Sequence, residues 1–295
     1  MGPSRRAFPL AEERPRRGPA RWVARGLVLA LVALVGLGAW LGGRTLFHSV
    51  LGPRCQATAA GSSVDFDPEQ MSNAATITAI ALRRGLPARA ATIALATAIQ
   101  ESKLRNIRYG DRDSVGLFQQ RPSQGWGTVE QILDPEYTTN KFYDALVKVD
   151  GWETGTITVV AQKVQRSAYP EAYADHEQEG RILASSLAGH SPRGVGCRLD
   201  APEGEADVAL IGRLLDAEYK LKASGGAGGT LTVSAPSDQI AWSVASWSVA
   251  KAVDTGITGV TIGDRSWSRS RDSSAWEWQQ AETPAAAQEV VLHLA

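Results

Sequence analysis

Between residues 65 and 187, hydrophobic positions recur every three or four residues, which is the spacing of amphipathic helices. Asp67 is placed to cap the first of these helices, with Pro68 at its first position. The same spacing predicts further helices over about residues 86–101, 135–149, 156–165 and 170–187. No long stretch of alternating polar and apolar residues interrupts them, so we predict a mostly α domain at residues 65–198.

The pattern changes after residues 199–206, a stretch of Pro, Gly and charged residues that we expect to be a linker. Beyond it, helical spacing predicts a helix over residues 208–221 and a second helix that begins at Asp238. Short β-prone runs predict strands at residues 230–234, 259–262 and 289–293. Residues 207–295 are therefore expected to form a small α+β domain.

One hydrophobic segment near the N-terminus differs from all the others. Residues 26–43 carry no charge, and their length is about that needed to cross the apolar core of a bilayer. Seven Arg precede the segment and two follow it closely, which places the N-terminus in the cytoplasm by the positive-inside rule. We predict a disordered cytoplasmic tail at 1–21, a transmembrane anchor at 22–43 and a linker at 44–64, with the folded domains extracellular. A cleaved signal peptide is the alternative.

Length and charge agree with this layout. The 295 residues are too many for one average domain and favour two folded units plus a tail. The net charge is zero, but residues 1–54 hold nine Arg and two Glu, so the rest of the chain carries a charge of −7. Such an exterior gives no electrostatic case for binding nucleic acid, which requires a basic patch.

The two cysteines, Cys55 and Cys197, both fall on the side predicted to be extracellular, where disulfides persist. A bond between them would close a loop of more than 140 residues, which in the chain-entropy model stabilises the fold by ~4–5 kcal/mol. Two unrelated buried thiols are the alternative. The histidines show no metal-ligand spacing, so neither a metal site nor a cofactor is expected. They are His48, His176, His190 and His293.

The residue best suited to chemistry is Glu101, which follows an Ile- and Ala-rich helix. A carboxylic acid can protonate a leaving glycosidic oxygen near neutral pH if burial raises its pKa. We therefore expect Glu101 to be partly buried. The alternative is an ordinary solvated glutamate, which the dipole at a helix C-terminus disfavours. The run Gly116-Leu117-Phe118-Gln119-Gln120 downstream could form the floor of a saccharide cleft.

These two motifs in order resemble the lytic transglycosylase and goose-type lysozyme superfamily. In that family a Glu-Ser pair at a helix end precedes Gly-Leu-Met-Gln, and here Glu101-Ser102 precedes Gly116-Leu117-Phe118-Gln119 at the usual offset of fifteen residues. Two later elements also resemble the family, Asp134-Pro135 before a helix and Pro170-Glu171-Ala172-Tyr173. The resemblance covers about residues 65–187, and it implies a lysozyme-like fold for that domain.

The resemblance also implies roles for individual residues. Glu101 would act first as acid and then as base on the β-1,4 bond of peptidoglycan glycan strands, without a metal or cofactor. Ser102 and Gln119 would orient the substrate, and Tyr173 would contact the sugar or the glutamate. The alternatives are a local helix-end hydroxyl for Ser102 and a core position for Tyr173. The neighbouring Gln120 is included among the substrate-binding candidates.

A tryptophan adds a further candidate contact with the substrate. Trp126 lies in a loop between Gly125 and Gly127, where it could stack on a sugar ring or anchor the loop in the core. In the C-terminal domain five more Trp residues could pack internally or form a wall-binding surface.

The reaction outcome depends on a second carboxylate. Hydrolysis by the usual scheme needs one, and Asp111 and Asp113 in the loop after Glu101 are the candidates, although loop aspartates are commonly turn formers. Without such a partner, the resemblance implies transglycosylation, in which the 6-hydroxyl of the sugar attacks and leaves a 1,6-anhydro end.

One segment departs from the family pattern. The Ala-Tyr-Asn-Ala-Gly motif of the family would fall near Ala161, but the residues there are Ala161-Gln162-Lys163-Val164-Gln165. Gln162 or Gln165 could supply the missing hydrogen bonds, or both could lie on a solvated helix face. This departure keeps open a second function, a membrane-anchored scaffold or wall-binding protein that lost catalysis. The sequence identifies no protein partner.

Overall fold

The computed structural model describes residues 29–30, 33–38, 52–165, 170–225 and 228–295. The chain divides into two units at residue 52, and the second unit, Pro53–Ala295, contains the elements described below. Of the predicted anchor at 22–43, only residues 29–30 and 33–38 are described, and these are helical. No described helix has both the length and the apolar character needed to cross a bilayer. The rest of the predicted anchor and the tail at 1–21 lie outside the described residues.

The first part of the unit combines a small sheet with a set of helices. Its strands are β1 Arg54–Ala59, β2 Ser62–Phe66 and β3 Val195–Arg198. Its α-helices are α1 Pro68–Arg83, α2 Ala88–Ser102, α3 Val129–Ile132, α4 Pro135–Leu146, α5 Ile157–Gln165 and α6 Glu177–Leu187. Short 3₁₀ helices cover Pro122–Gln124 and Pro170–His176. The predicted helices that begin near residues 67, 86, 135 and 156 are confirmed, with ends that differ by a few residues. The helix predicted over 170–187 is instead a 3₁₀ helix at 170–176 followed by α6.

Helix α2 is the central helix of this part and contacts α1, α4, α5 and α6. Eleven of its fifteen residues are buried, mostly Ala, Ile and Thr, so it has almost no solvated face. Helix α6 approaches α2 closely at Gly180, which has no side chain. A Cβ at this position would lie 2.9 Å from the carbonyl oxygen of Thr92 in α2. This packing extends to the C-terminal end of α2, where Ser102 is buried and Glu101 is partly buried.

The small sheet corrects the prediction of a linker at 44–64, because β1 and most of β2 lie within that range. The strands are antiparallel in the order β2-β1-β3, and Cys55 of β1 lies directly opposite Cys197 of β3. The predicted disulfide between these two residues is present and joins positions 142 residues apart. Sequence periodicity missed the strands because their inward residues are small, as in Cys55, Ala57 and Ala59, and the alternation is short.

The second part of the unit is the α+β arrangement that the sequence predicts. Its helices are α7 Val208–Tyr219, α8 Asp238–Ala250 and α9 Ala252–Thr255, followed later by a 3₁₀ helix at Ser273–Trp276. Its strands are β4 Ala223–Gly225, β5 Thr230–Ser234, β6 Ile257–Ile262, β7 Arg265–Ser268, β8 Gln279–Gln280 and β9 Glu289–Leu294. They form one antiparallel sheet in the order β4-β5-β9-β6-β7-β8, which α8 contacts through β6 and β9. With two sheets among its helices, the fold is mixed α and β.

The tryptophans of this second part pack internally. Trp247 and Trp267 are fully buried, and the indole of Trp242 meets that of Trp278 edge to face at 5.4 Å. The remaining one, Trp276, is partly buried beneath the guanidinium of Arg198. These positions favour the packing interpretation over a wall-binding surface built from exposed aromatic rings.

The two parts share a buried polar contact. Glu218 of α7 accepts hydrogen bonds from Trp247 Nε1 at 2.6 Å and from Thr76 Oγ1 of α1 at 3.0 Å. Lys251 lies 3.5 Å from the same carboxylate and donates to Thr76 at 2.7 Å. Residues 199–206, predicted as a linker, connect β3 to α7 within this single compact unit. The network ties α1, and through α1 the start of α2, to the C-terminal sheet and its helices.

Candidate active site

The site begins at the C-terminal end of α2, where the backbone is tightly held. Lys103 and Leu104 both adopt left-handed conformations, with φ of 56° and 58°, and the N–H of Leu104 bonds back to the carbonyl of Ala98 at 3.0 Å. The carbonyl groups of this turn are held by α1, since Asn73 donates to Leu104 at 2.8 Å and Gln70 donates to Lys103 at 2.7 Å. Glu101, within the last turn of α2, is therefore on a rigid support.

Glu101 is partly buried, as the sequence predicts, and two side chains hydrogen-bond its carboxylate. The hydroxyl of Tyr173 donates to Glu101 Oε1 at 2.7 Å, and the Gln165 side chain also forms a hydrogen bond with Glu101. Burial raises the pKa of Glu101 above its usual value of 4.5, while the Tyr173 and Gln165 hydrogen bonds act in the opposite direction and lower it. Burial is the larger effect, so the proton is held more tightly than in an exposed glutamate.

Tyr173 reaches Glu101 from the 3₁₀ helix Pro170–His176 and is itself 1 % exposed. This short helix is tied to α2 by His176, whose Nε2 lies 3.1 Å from Gln100 Oε1 and whose Nδ1 lies 2.8 Å from Glu179 Oε2. From the sequence, His176 was only one of four histidines without metal-ligand spacing. Its spacing of three residues from Tyr173 and from Glu179 was the available signal for a positioning role.

The Gly116–Gln120 run forms a tight turn beside α2. Gly116 has a φ of +80°, and a Cβ there would lie 2.7 Å from the carbonyl oxygen of Ile132, so this position requires glycine. The turn is closed by a bridge between Val115 and Gln120. Ser102 connects it to α2, since its buried hydroxyl lies 2.8 Å from the carbonyl oxygen of Leu117 and 3.1 Å from that of Ala98. Ser102 is placed as a helix-end hydroxyl that joins the two motifs.

Most side chains of this turn face the core, which corrects the expectation of a cleft floor. Phe118 is fully buried and stacks on Phe142 with ring centroids 4.5 Å apart. Gln120, a predicted substrate-binding residue, is 1 % exposed and accepts a hydrogen bond from Thr138 Oγ1 at 2.8 Å, so it acts as structural support. Gln119 remains partly exposed, and its amide lies 3.3 Å from the Gly116 carbonyl oxygen.

Helix α5 contains the segment at 161–165 that differs from the family motif, and one of its glutamines supplies a hydrogen bond to the site. Gln165, its last residue, donates to the carbonyl of Phe118 at 2.6 Å and also bonds Glu101, so it joins the turn to the carboxylate. Gln162, the other glutamine considered from the sequence, is partly buried one helical turn earlier. Sequence spacing alone did not separate the two glutamines, because which of them faces α2 depends on how α5 packs.

The two candidate second carboxylates lie in the loop after α2. Asp111 is exposed, with its side chain 88 % accessible. Asp113 binds the guanidinium of Arg121 at 2.8 Å and accepts hydrogen bonds from the backbone and side chain of Ser123. These contacts hold the pKa of Asp113 well below its usual range, the Arg121 bond most strongly. The groups that shift the pKa of Glu101 among the described residues include no carboxylate.

Trp126 is partly buried, and its backbone carbonyl accepts a hydrogen bond from the hydroxyl of Tyr137 at 3.2 Å. It lines an open cavity of about 440 Å³, and two further open cavities have volumes of about 570 and 590 Å³. Glu101 lines none of these three. Residues 166–169, which connect α5 to the segment of Tyr173, lie outside the described residues.

The arrangement is suited to proton transfer by a single carboxylic acid. Glu101 combines partial burial with two hydrogen-bond donors that can stabilise its anion, the pattern expected of a group that alternates between acid and base. Within the described ranges, no cluster of three or more His, Cys, Asp or Glu side chains is placed to hold a metal ion. No protein-family model matches this sequence, and no curated protein matches it significantly.

Proposed function

We propose that this chain cleaves the β-1,4-glycosidic bond of peptidoglycan glycan strands with Glu101 as its single general acid and base. The observation that carries the proposal is the carboxyl of Glu101 at a rigid helix end, its pKa raised by burial and its Oε1 bonded to Tyr173 at 2.7 Å. The ordered sequence motifs around Glu101 and Gly116 supply the substrate class.

In the first step, protonated Glu101 donates its proton to the glycosidic oxygen as the bond from that oxygen to the anomeric carbon breaks. Burial raises the pKa of Glu101, which favours the protonated form that this step requires. The carboxylate that remains accepts hydrogen bonds from Tyr173 and Gln165, which stabilise the negative charge as it develops. Before the reaction, these two residues partly offset the rise in the pKa of Glu101 that burial causes. During the reaction, they stabilise the carboxylate that forms when the proton leaves.

In the second step, Glu101 acts as the base. A hydroxyl attacks the anomeric carbon, the new carbon–oxygen bond forms, and the hydroxyl proton returns to the Glu101 carboxylate. Asp113 is bound by Arg121 and Ser123, and Asp111 is exposed, so their positions favour the 6-hydroxyl of the sugar itself as the attacking group. We therefore favour the lytic transglycosylase outcome, a 1,6-anhydro end, over hydrolysis through Asp111 or Asp113.

The location proposed for this activity is the outer side of the cell membrane, where the wall lies. The disulfide between Cys55 and Cys197 supports an oxidising compartment. The apolar segment at 22–43 would hold the chain at the membrane with its N-terminus in the cytoplasm.

A wall-binding scaffold without turnover is the second candidate. The observation that favours it is that α5 carries none of the Tyr and Asn residues expected there, and that its Gln165 is already engaged with Glu101 and Phe118. In this case Glu101 would be a buried structural carboxylate.

Product analysis distinguishes these functions. The full chain in mild detergent is incubated with purified peptidoglycan, and the soluble fragments are measured by mass spectrometry. Transglycosylation predicts fragments with 1,6-anhydro ends and no gain in mass, whereas hydrolysis adds the mass of one water per cut. Retention of the chain on peptidoglycan without release of fragments would favour the scaffold.

A further inference from the structure

A second candidate site lies beside α5, the helix whose last residue, Gln165, bonds Glu101. It is a cavity of about 440 Å³ between α4, α5 and the loop that carries Trp126. Three lysines line it, Lys141, Lys148 and Lys163. We call it the lysine pocket.

The charge of the lysine pocket is strongly positive. Asp144 is the one acid among its lining residues, and Asp144 is bound to Arg84 at 2.7 Å. Within the described ranges, none of the three lysines has an acidic partner within ion-pair distance. Three ammonium groups around one cavity repel each other in the absence of an anion, so the pocket favours a ligand with a negative charge.

Apolar surface accompanies this charge. The partly exposed indole of Trp126 and the aliphatic side chains of Val149 and Val164 line the same cavity. The loop around Trp126 is held in place by Tyr137, whose hydroxyl binds the Trp126 carbonyl and whose ring lies 5.4 Å from the Lys141 ammonium. A held aromatic side chain beside cations suits a ligand that joins a carboxylate to an aliphatic body.

The pocket is close to the proposed cleavage site along α5. Lys163 and Val164 line the pocket, and the next residue, Gln165, bonds Glu101. A four-residue peptide attached to a sugar near Glu101 spans up to about 14 Å when extended. The pocket residues Lys163 and Val164 directly precede Gln165 in α5, so the peptide and the pocket lie along the same helix.

Resting on the function proposed above, we propose that the lysine pocket binds a free carboxylate of the stem peptide carried by the glycan strand that Glu101 cleaves. The neutral sugar chain has no charge that would match three ammonium groups. An acidic wall polymer joined by phosphodiesters has the charge, but it has no covalent connection to the strand and no aliphatic side chains to match Trp126.

Binding can be measured without cleavage. The full chain with Glu101→Gln is titrated in detergent, by calorimetry, with three ligands: a disaccharide that bears a tetrapeptide, the same ligand amidated at its carboxyl groups, and a bare disaccharide of two N-acetylglucosamine units, which has no carboxyl group. The double change Lys148→Gln and Lys163→Gln tests the pocket. Lys220→Gln with Lys222→Gln is the matched control on the C-terminal part, and circular dichroism checks the fold of each variant.

We expect the peptide-bearing ligand to bind more tightly than the bare disaccharide. Amidation or the double change at Lys148 and Lys163 should weaken its binding about five- to tenfold, since each charge lost at a partly exposed site is worth about a factor of two to five. The control pair should have no effect, and added salt should reduce the difference.

Two results would overturn the proposal directly: the bare disaccharide binds as tightly as the peptide-bearing ligand, or the Lys148 and Lys163 changes leave the affinity for the peptide-bearing ligand unchanged. A third arm titrates the same variants with a poly(ribitol phosphate). If the lysine changes weaken binding of this polymer more than binding of the peptide-bearing ligand, the proposal is also overturned. These outcomes are independent of catalysis. If the wild-type chain releases no fragments from peptidoglycan but its binding of the peptide ligand depends on the lysines, the proposed cleavage is wrong. The proposed binding of the peptide carboxylate is then still supported.

Discussion

Tyr173 and Glu101, 72 residues apart in the chain, are joined by a hydrogen bond of 2.7 Å from the phenol to Oε1 of the carboxylate. Each residue is held by separate contacts, Glu101 by the end of α2 and Tyr173 by a 3₁₀ helix that His176 fastens to α2. The pair sets the proton affinity of Glu101, because the Tyr173 hydroxyl stabilises the anion and burial destabilises it. A proton can therefore leave and return at one fixed position.

Tyr173→Phe should move the alkaline limb of the pH–activity profile to higher pH. Removing the hydroxyl removes stabilisation of the Glu101 anion, so the pKa of Glu101 rises further and the acid form persists to higher pH. The profile is measured as the initial rate of fragment release from peptidoglycan across the pH range. Tyr109→Phe, at an exposed tyrosine, is the control and should leave the profile in place. An unchanged or acid-shifted limb in Tyr173→Phe would contradict the assignment.

Glu101→Gln should change how stability depends on pH. The pKa of Glu101 is raised in the folded state, so the folded chain retains a proton that the unfolded chain loses near pH 4.5. The stability that this proton contributes is therefore lost as pH rises from 4.5 through the pKa of Glu101 in the folded chain. Glutamine does not titrate. The variant should match the wild type below pH 4.5 and become relatively more stable as pH rises, as measured by urea unfolding at several pH values. A stability difference that stays constant with pH would show that Glu101 titrates normally in the fold.

Gly116→Ala and Gly125→Ala separate steric crowding from backbone strain. Both glycines have a φ of +80°, but only at Gly116 would a Cβ collide with a backbone atom, the Ile132 carbonyl oxygen at 2.7 Å. Left-handed backbone costs about 1–2 kcal/mol for alanine at either position. Crowding should add about 1–3 kcal/mol at Gly116 alone, measured by urea unfolding. Equal losses at the two positions would mean that the Gly116 turn relaxes without cost.

Lys251→Met should strongly destabilise the junction between the two parts of the fold. The change leaves Glu218 buried without its cation, and loss of one member of a buried ion pair costs about 3–5 kcal/mol. Combining it with Glu218→Leu should recover much of this loss, because no buried charge remains. Thermal unfolding with the disulfide intact measures both. A double variant as unstable as Lys251→Met would indicate that packing, not charge, dominates at this contact.

The helical scaffold of the site was predictable because its signals are local. Asp67 caps α1 as predicted: its side chain accepts a hydrogen bond from the Gln70 backbone N–H, and its own backbone N–H donates to the Gln70 side chain. The apolar residues that predicted α2 are buried in the structure. The disulfide followed from having two cysteines in a predicted extracellular region. Partial burial of Glu101 followed from the apolar helix that precedes it.

The parts that were missed depend on contacts between distant segments. β2 is mostly polar and exists because it pairs with β1, so no hydrophobic alternation marks it. Gln120 was expected to meet substrate, but Thr138 of α4 binds it in the core. The choice of Gln165 over Gln162 is set by how α5 packs against α2, a tertiary relationship that single-sequence spacing does not contain.

The central claim, that Glu101 is the catalytic acid, is tested most directly by comparing three full-length chains: wild type, Glu101→Gln and Glu153→Gln, the last at an exposed glutamate of the same part of the fold. Each is assayed for soluble fragments released from purified peptidoglycan per unit time. We predict release by wild type and Glu153→Gln, with a loss of about 100-fold or more in Glu101→Gln. Equal release by Glu101→Gln and wild type would contradict the account.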